Sequence, residues 1–418
     1  MSGALYLQLL RSQTRTFDAA ARAKAVNAFL VEDLLLYSDP FNSGMGEPTL
    51  RQALNSASEN IAVRFAGQPA NEAAVRRALA GAHIGRDELD AAQAQLEQAE
   101  RLFDGIEVDP DLRLDLRGQR AEVKFARGKF TEARALLGDP DAFTVVPGAS
   151  EAQFHAAWLS ALIERRLGRV DSAIELFAAL AAAGRLHYGA DDPSTLMLQR
   201  YHADSLRTGG RLAEARAVSE RSYESAKRHY GVVDFRVAGF VEVLARIESQ
   251  LGNHERALAL LLEAELMRAT VLPATHRAVW ILREQIVVTY IALGRREDAL
   301  AMAERIWLDL APQAGPSVDA LIVLGNLAKQ RATFKTLEIG IVHATTVADL
   351  WRKHHPSNRP EALIQRAQLA RLLQQAGRWQ QAEAQLSALM ELAKSALPAN
   401  GARLGSMHHC GRRQSARQ

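Results

Sequence analysis

The sequence predicts an all-α fold in which antiparallel helix pairs follow one another at a fixed interval. Three observations predict it. A glycine-to-alanine block recurs as Gly168-Arg169-Val170-Asp171-Ser172-Ala173, Gly210 to Ala215, Gly252 to Ala257 and Gly294 to Ala299, each 42 residues after the last. A second marker keeps the same step, His187-Tyr188-Gly189 returning as His229-Tyr230-Gly231. Composition agrees: aromatics are 6 %, and Ala, Leu, Arg, Glu and Gln dominate, which suits helices better than strands. A fixed period of this length is the mark of a repeat array.

The first 16 residues form a short N-terminal segment, and 17–69 read as a helical hairpin that caps the array. Its first helix spans Phe17 to Tyr37, with Ala25, Val26, Phe29, Leu30, Leu34 and Leu35 at three- and four-residue spacing. A loop rich in Ser, Asp, Pro and Gly follows. The second helix starts near Pro48-Thr49 and runs to Phe65.

Residues 70–395 read as eight helix pairs. Extending the alanine anchor both ways gives Ala92, Ala133, Ala173, Ala215, Ala257, Ala299, Gly340 and Ala382, at steps of 40 to 42. Twelve residues earlier stands a second small position: Ala80, Ala121, Ala161, Ala203, Ala245, Val287, Ala328 and Ala370. Two helices approach most closely where neither carries a bulky side chain, so these two sets should face each other. Five residues before the anchor lies a turn glycine (Gly128, Gly168, Gly210, Gly252, Gly294, Gly377), which ends the first helix in a left-handed conformation. Asp87 and Lys335 replace it in two units, where less regular turns are expected. An acid in the next turn suits a helix N-terminus, and Pro193 and Pro360 are placed to start helices.

These spacings resemble the tetratricopeptide repeat in its long, kinesin-light-chain-like form. The resemblance implies a right-handed α-solenoid whose inner face is lined by the first helix of each pair. A narrower resemblance rests on Val26-Asn27-Ala28-Phe29-Leu30-Val31-Glu32-Asp33-Leu34-Leu35, Asp39-Pro40, Leu50-Arg51-Gln52-Ala53-Leu54 and Arg64-Phe65-Ala66-Gly67-Gln68-Pro69. These stretches are similar to the segment joining a membrane helix to the repeats in bacterial Ser/Thr kinases and winged-helix, CadC-like transcription regulators. No Gly-rich nucleotide loop, His-Arg-Asp catalytic loop or recognition helix accompanies them, so the chain reads as a sensor or interaction half, truncated or free-standing.

Charge argues against nucleic acid. The net charge is +3, but residues 395–418 hold Arg403, Arg412, Arg413 and Arg417 and no acid, leaving about −1 on the rest. The tail, 396–418, reads as disordered and basic. Its Cys410 is the single cysteine, so no disulfide can form within the chain. Met1 to Leu10 is too short to span a bilayer. The chain as written is expected to be cytoplasmic, or periplasmic if it is the tail of a membrane-anchored regulator.

No constellation of residues calls for catalysis, a metal or a cofactor. His354-His355-Pro356 reads as a turn between pairs and His408-His409-Cys410 as part of the tail, rather than as metal ligands. The partner is expected to be a protein or peptide of acidic character. On the first helices, His155, Trp158, Arg165, Arg166, Arg200, Asp204, Arg207, Glu242 and Arg246 fall at positions pointing into the groove. Arginines there would pair the carboxylates of an extended segment; the alternative is an ordinary solvated face with Arg200–Asp204 and Glu242–Arg246 as i,i+4 pairs. The residues of the chaperone-binding carboxylate clamp are missing, with Arg200, Tyr201 and Asp204 in their places. Further along, Ile281, Val288, Ile291, Ile322 and Ile364 make the same face apolar, open to a helix or covered by a neighbouring element or second protomer. Trp307, Trp351 and Trp379 are expected in packing between repeats. The reading that follows is a non-enzymatic interaction scaffold in bacterial signalling, with the effector-sensing arm of a transcription regulator or kinase as the alternative.

Overall fold

The computed structural model describes residues 20, 23–29, 31–32, 49–86, 88–104, 108–139, 149–311, 318–333, 337–355 and 360–396. Every regular element among them is helical. The chain divides into two compact units, Met1–Ser222 and Tyr223–Gln418.

The first unit opens with residues 23–29, which are helical, and α1 (Leu50–Arg64). Thr49 explains where α1 begins. Its hydroxyl accepts from the Gln52 backbone N–H at 3.3 Å, while Gln52 Oε1 accepts from the Thr49 backbone N–H at 2.8 Å, a reciprocal cap that satisfies two donors the helix cannot. Phe29 packs with Leu54, Ala57, Ile61 and Phe65 of this segment and with Val75 and Leu79 of α2 (Pro69–Gly85). The remainder of the expected first helix, and the tail with Cys410, lie outside the described residues.

From α2 the helices alternate in pairs: α3 (Leu89–Arg101), α4 (Pro110–Ala126), α5 (Phe130–Leu137), α6 (Glu151–Arg166), α7 (Val170–His187), α8 (Pro193–Thr208) and α9 (Leu212–Tyr230), the last running through the division between units. The second unit continues with α10 (Ala238–Gln250), α11 (His254–Ala269), α12 (Arg277–Ala292), α13 (Arg296–Leu310), α14 (Val318–Thr333), α15 (Leu337–His354), α16 (Pro360–Gln375) and α17 (Trp379–Ala396). Prolines 110, 193 and 360 occupy first helical positions, where a missing N–H costs nothing. Among the described residues no helix is long and apolar enough to cross a membrane.

All six turn glycines have positive φ, from 73° to 84°. At each, the glycine N–H bonds three residues back and the next N–H bonds five residues back, as in Gly168 to Arg165 (3.2 Å) and Arg169 to Glu164 (2.9 Å). This closure satisfies two carbonyls left over at the helix end and aims the chain into the second helix. Asp87 and the Lys335 turn lie outside the described residues, although Glu88 N–H still reaches His83 O at 2.9 Å across the former.

The small residues at both register positions are buried in every pair. Ala80, Ala121, Ala161, Ala203, Val287 and Ala328 are fully buried, as are Ala92, Ala133, Ala173, Ala215, Ala257 and Ala299. Gly340 shows how close the backbones come. A Cβ there would lie 2.8 Å from Ala328 O and 2.8 Å from Ala332 Cβ, so this crossing is too tight even for a methyl group.

Charges inside the array are paired. Arg283, 3 % exposed, donates from α12 to Glu265 on α11 (2.6 Å) and Asp309 on α13 (2.8 Å). Glu164 on α6 accepts from Arg134 (2.6 Å) and Arg169 (3.3 Å). Two periods later, Glu248 on α10 accepts from Asn253 at 2.7 Å and faces Arg256 at 3.4 Å. Arg256 is therefore half of an ion pair with a buried carboxylate, not a neutral surface position. Trp351 is buried and Trp307 half-buried, with Trp307 stacked on the His343 ring at 3.6 Å between centroids. Trp379 departs from the expected packing role: it is 58 % exposed on α17, the last described helix.

Two substitutions test the crossings by thermal or urea unfolding. Ala257→Phe should cost roughly 1–3 kcal/mol by overpacking, while Arg296→Ala on the exposed face of α13 should stay within about 0.5 kcal/mol. Gly340→Ala should reverse the usual sign. Inside a helix this exchange normally gains about 1 kcal/mol, but here it should lose about 1–3 kcal/mol because Ala328 and Ala332 must give way.

Candidate functional site

In the first unit Trp158, Arg165 and Arg200 of α6 and α8 converge on the ring of Tyr201, which the sequence marks only as a replacement in the clamp position. Phe177 of α7 stacks beneath it, with centroids 5.5 Å apart and planes 13° apart, and Trp158 meets it edge-on at 6.0 Å. The guanidiniums of Arg165 and Arg200 stand 5.8 and 5.0 Å from the same centroid. Cations placed over an aromatic face are attracted by its quadrupole. The signal in sequence was Tyr201 between two groove positions, but nothing in the spacing marked an aromatic as the centre.

Asp204 ties this group to its neighbours. Its carboxylate accepts from Arg165 of α6 at 2.9 Å and from Arg207 of its own helix at 2.9 Å. All three side chains are less than one-fifth exposed. The guanidiniums of Arg165, Arg200 and Arg207 thus gather about the Tyr201 ring and the Asp204 carboxylate. Arg166 is exposed at the end of α6.

His155, one turn before Trp158, stacks on it at 5.7 Å and a 28° interplanar angle. Its Nε2 lies 3.7 Å from Glu122 Oε2 on α4. Gly118 makes room for the ring: a Cβ at that position would sit 3.1 Å from His155 Nδ1. A glycine inside a helical pattern signals a packing reason, and Gly118 is such a signal that the spacing argument does not use. Burial raises the Glu122 carboxyl above its ordinary value of 4.5, His155 pulls it down, and Asp115 pushes it up again. Asp115 is itself held by Arg77 of α2 at 2.6 Å. The run from Arg77 through Glu122 and His155 to Tyr201 and Arg207 is therefore one polar and aromatic face built from α2, α4, α6 and α8.

Glu242 and Arg246 stand on α10 in the second unit. Glu242 corrects the expectation of an open groove carboxylate: it is buried, 8 % exposed, and forms an ion pair with Arg268 of α11. Arg246 is half-buried. Within this unit Glu284 of α12 accepts from Asn326 Nδ2 of α14 at 2.8 Å, and burial raises its carboxyl. Ile281, Ile291 and Ile322 are half-buried against the core of the unit, whereas Val288 and Ile364 are exposed. Gln365 lies against the backbone of Gly325, where any Cβ would collide with it. His355 packs on Trp351 with ring centroids 5.2 Å apart. Among the described residues no group of three or more His, Cys, Asp or Glu is arranged to hold a metal.

The fold can be compared with solved structures at this point. The quorum sensor NprR of B. thuringiensis, in its apo form, superimposes with a TM-score of 0.56 at 14 % identity, over 88 % of this chain and 99 % of its own. The apo form of RapI gives 0.55 at 9 % identity, over 90 % and 98 %. The chain has the tetratricopeptide-type helical-repeat fold. No protein-family model and no curated protein matches the sequence.

In these repeats the small crossing residues are spent on packing, and the first-helix positions around Tyr201 are not held to that requirement. Glu122 offers a test of that face. Its carboxyl is raised, so in the folded chain the ionised form is disfavoured: no cost is felt while the group is protonated, below about its ordinary value of 4.5, and the cost grows as pH rises through the elevated value. Glu122→Gln should raise the melting temperature at pH 7–8 and leave it unchanged near pH 4. A variant equally stabilised at both would remove burial as the cause.

Proposed function

We propose that the chain is a non-enzymatic binding scaffold whose α4–α6–α8 face holds an extended peptide or protein segment carrying carboxylates. The observation that carries this reading is the set of guanidiniums gathered about Tyr201, with Arg165 and Arg207 anchored by Asp204 and Arg200 standing over the ring. An arginine held in place has lost less freedom still to be lost on binding, so its charge-assisted hydrogen bonds to a carboxylate are favoured. Trp158 and Tyr201 add flat apolar surface beside those charges, as recognition of a segment with both acidic and apolar residues requires.

A second reading has its own support. The likeness in fold to a solved quorum sensor favours an effector-sensing arm of a bacterial regulator. Both readings place the ligand on the same face and differ in what responds to it.

The test is capture from a library of extended 8- to 12-residue peptides on immobilised full-length protein. Acidic sequences should be enriched, and raising salt from 50 to 500 mM should weaken them. The double variant Arg200→Glu and Arg207→Glu should lose at least tenfold in affinity. Enrichment of basic or uncharged peptides, or acidic binding indifferent to the double variant, would overturn the reading.

A further inference from the structure

The carboxylate of Asp204 has a counterpart on α4 in different surroundings. Glu122 directly follows the small crossing residue Ala121, as Asp204 follows Ala203. Asp204 is satisfied by two arginines: Arg207, three residues on in its own helix, and Arg165, at the matching position of the first helix before it. On α4 the residue three on is Phe125, and the matching residue of α2 is Ile84. Both arginines have given way to apolar side chains, while the carboxylate remains.

What faces Glu122 does not make up the loss. From α6, His155 Nε2 stands 3.7 Å away, beyond hydrogen-bond reach. From its own helix Asp115 adds a like charge. Arg77 of α2 is engaged by Asp115 at 2.6 Å, while Arg120 and Lys124 of α4 pair with Glu100 and Glu132. The Glu122 and His155 side chains are each 29 % exposed, so the carboxylate is open to a ligand on this face. Burial raises its carboxyl, so the ionised group costs stability that a bound cation would return. A local conflict of this kind is expected where a residue serves a ligand rather than the fold.

We infer that Glu122 is a cation subsite: the segment held on the α4–α6–α8 face carries a lysine or arginine at its α4 end and carboxylates at its α8 end. This rests on the reading that the face holds a carboxylate-bearing segment, and adds the second charge and its distance. Glu122 and Asp204 share one register position two layers apart. Neighbouring helix axes lie about 8–10 Å apart, so the two positions are separated by roughly 16–20 Å. An extended chain covers that span in about five or six residues. Between the two ends the stacked rings of His155 and Trp158 give the segment a flat surface to cross.

The experiment is isothermal titration calorimetry on the full-length protein with four seven-residue peptides, acetylated and amidated so that their termini are uncharged. Two are Lys-Ala-Leu-Ser-Ala-Asp-Asp and its reversal, which covers both directions a segment can run. The other two replace the lysine by glutamine. In one direction the lysine peptide should bind about tenfold more tightly than its glutamine twin, the worth of one charge-assisted hydrogen bond. Glu122→Gln should erase that preference and leave the affinity of the glutamine twin unchanged, which loss of a merely structural residue would not do. Glu122→Asp should restore part of the preference. Equal affinity for lysine and glutamine peptides in both directions, or a preference that survives Glu122→Gln, would overturn the inference and leave the carboxylate reading standing. So would a Glu122→Gln variant that weakens all four peptides alike. Binding of none of the four would remove the carboxylate reading and this inference with it.

Discussion

Everything in this chain depends on how closely two helices of a pair can cross. At each crossing a small residue from the first helix meets one from the second, and all of them are buried. Dispersion rewards such contact atom by atom, and a single bulky side chain would hold the backbones apart along the whole helix. The glycine turn follows from the same demand. Helices this close need a short connection, and a left-handed residue that also closes two hydrogen bonds supplies it. Gly340 is the limiting case: the carbonyl of Ala328 occupies the space a methyl would need.

Once the crossings carry the packing, charge can be used to hold successive layers together. Arg283 links α11, α12 and α13 through two carboxylates while almost fully buried. Such a group adds little net stability, because removing two charges from water costs nearly what their attraction returns. Removing one partner, however, strands the other, so the network penalises any slip of one layer over the next. Glu164 and Glu248, two periods apart, close their layers in the same way with arginines and an asparagine near the glycine turn.

The fold was legible from sequence because its determinants are local and periodic. Ala80 and Ala92, or Ala161 and Ala173, announce themselves by spacing alone, and so do the glycines with positive φ. Side-chain partnerships were legible only in part. Register puts Arg200 and Asp204 one turn apart on α8, but the Asp204 carboxylate also bonds Arg165 from α6, 39 residues away. No pattern in one sequence fixes a pairing across that distance. Glu242 looked like groove lining by register and proved buried because Arg268 of α11 reaches it. Trp379 was expected to pack because aromatics usually do, yet its packing depends on whether another layer follows, which register within α17 cannot say. Gly118 was the opposite case: a glycine inside a helix, visible in sequence, whose reason was the His155 ring lying against it.

This separation of tasks explains why fold and function are read with such unequal ease. The crossing positions must be small in every pair, so they repeat. The outward positions of the first helices meet no such requirement, and each can be chosen for what it touches. Around Tyr201 those positions hold Trp158, Arg165, Arg200 and Asp204; in the second unit the comparable ones hold Ile281, Glu284 and Ile322. A residue free of the repeat is where selection for a ligand can act without cost to the stack.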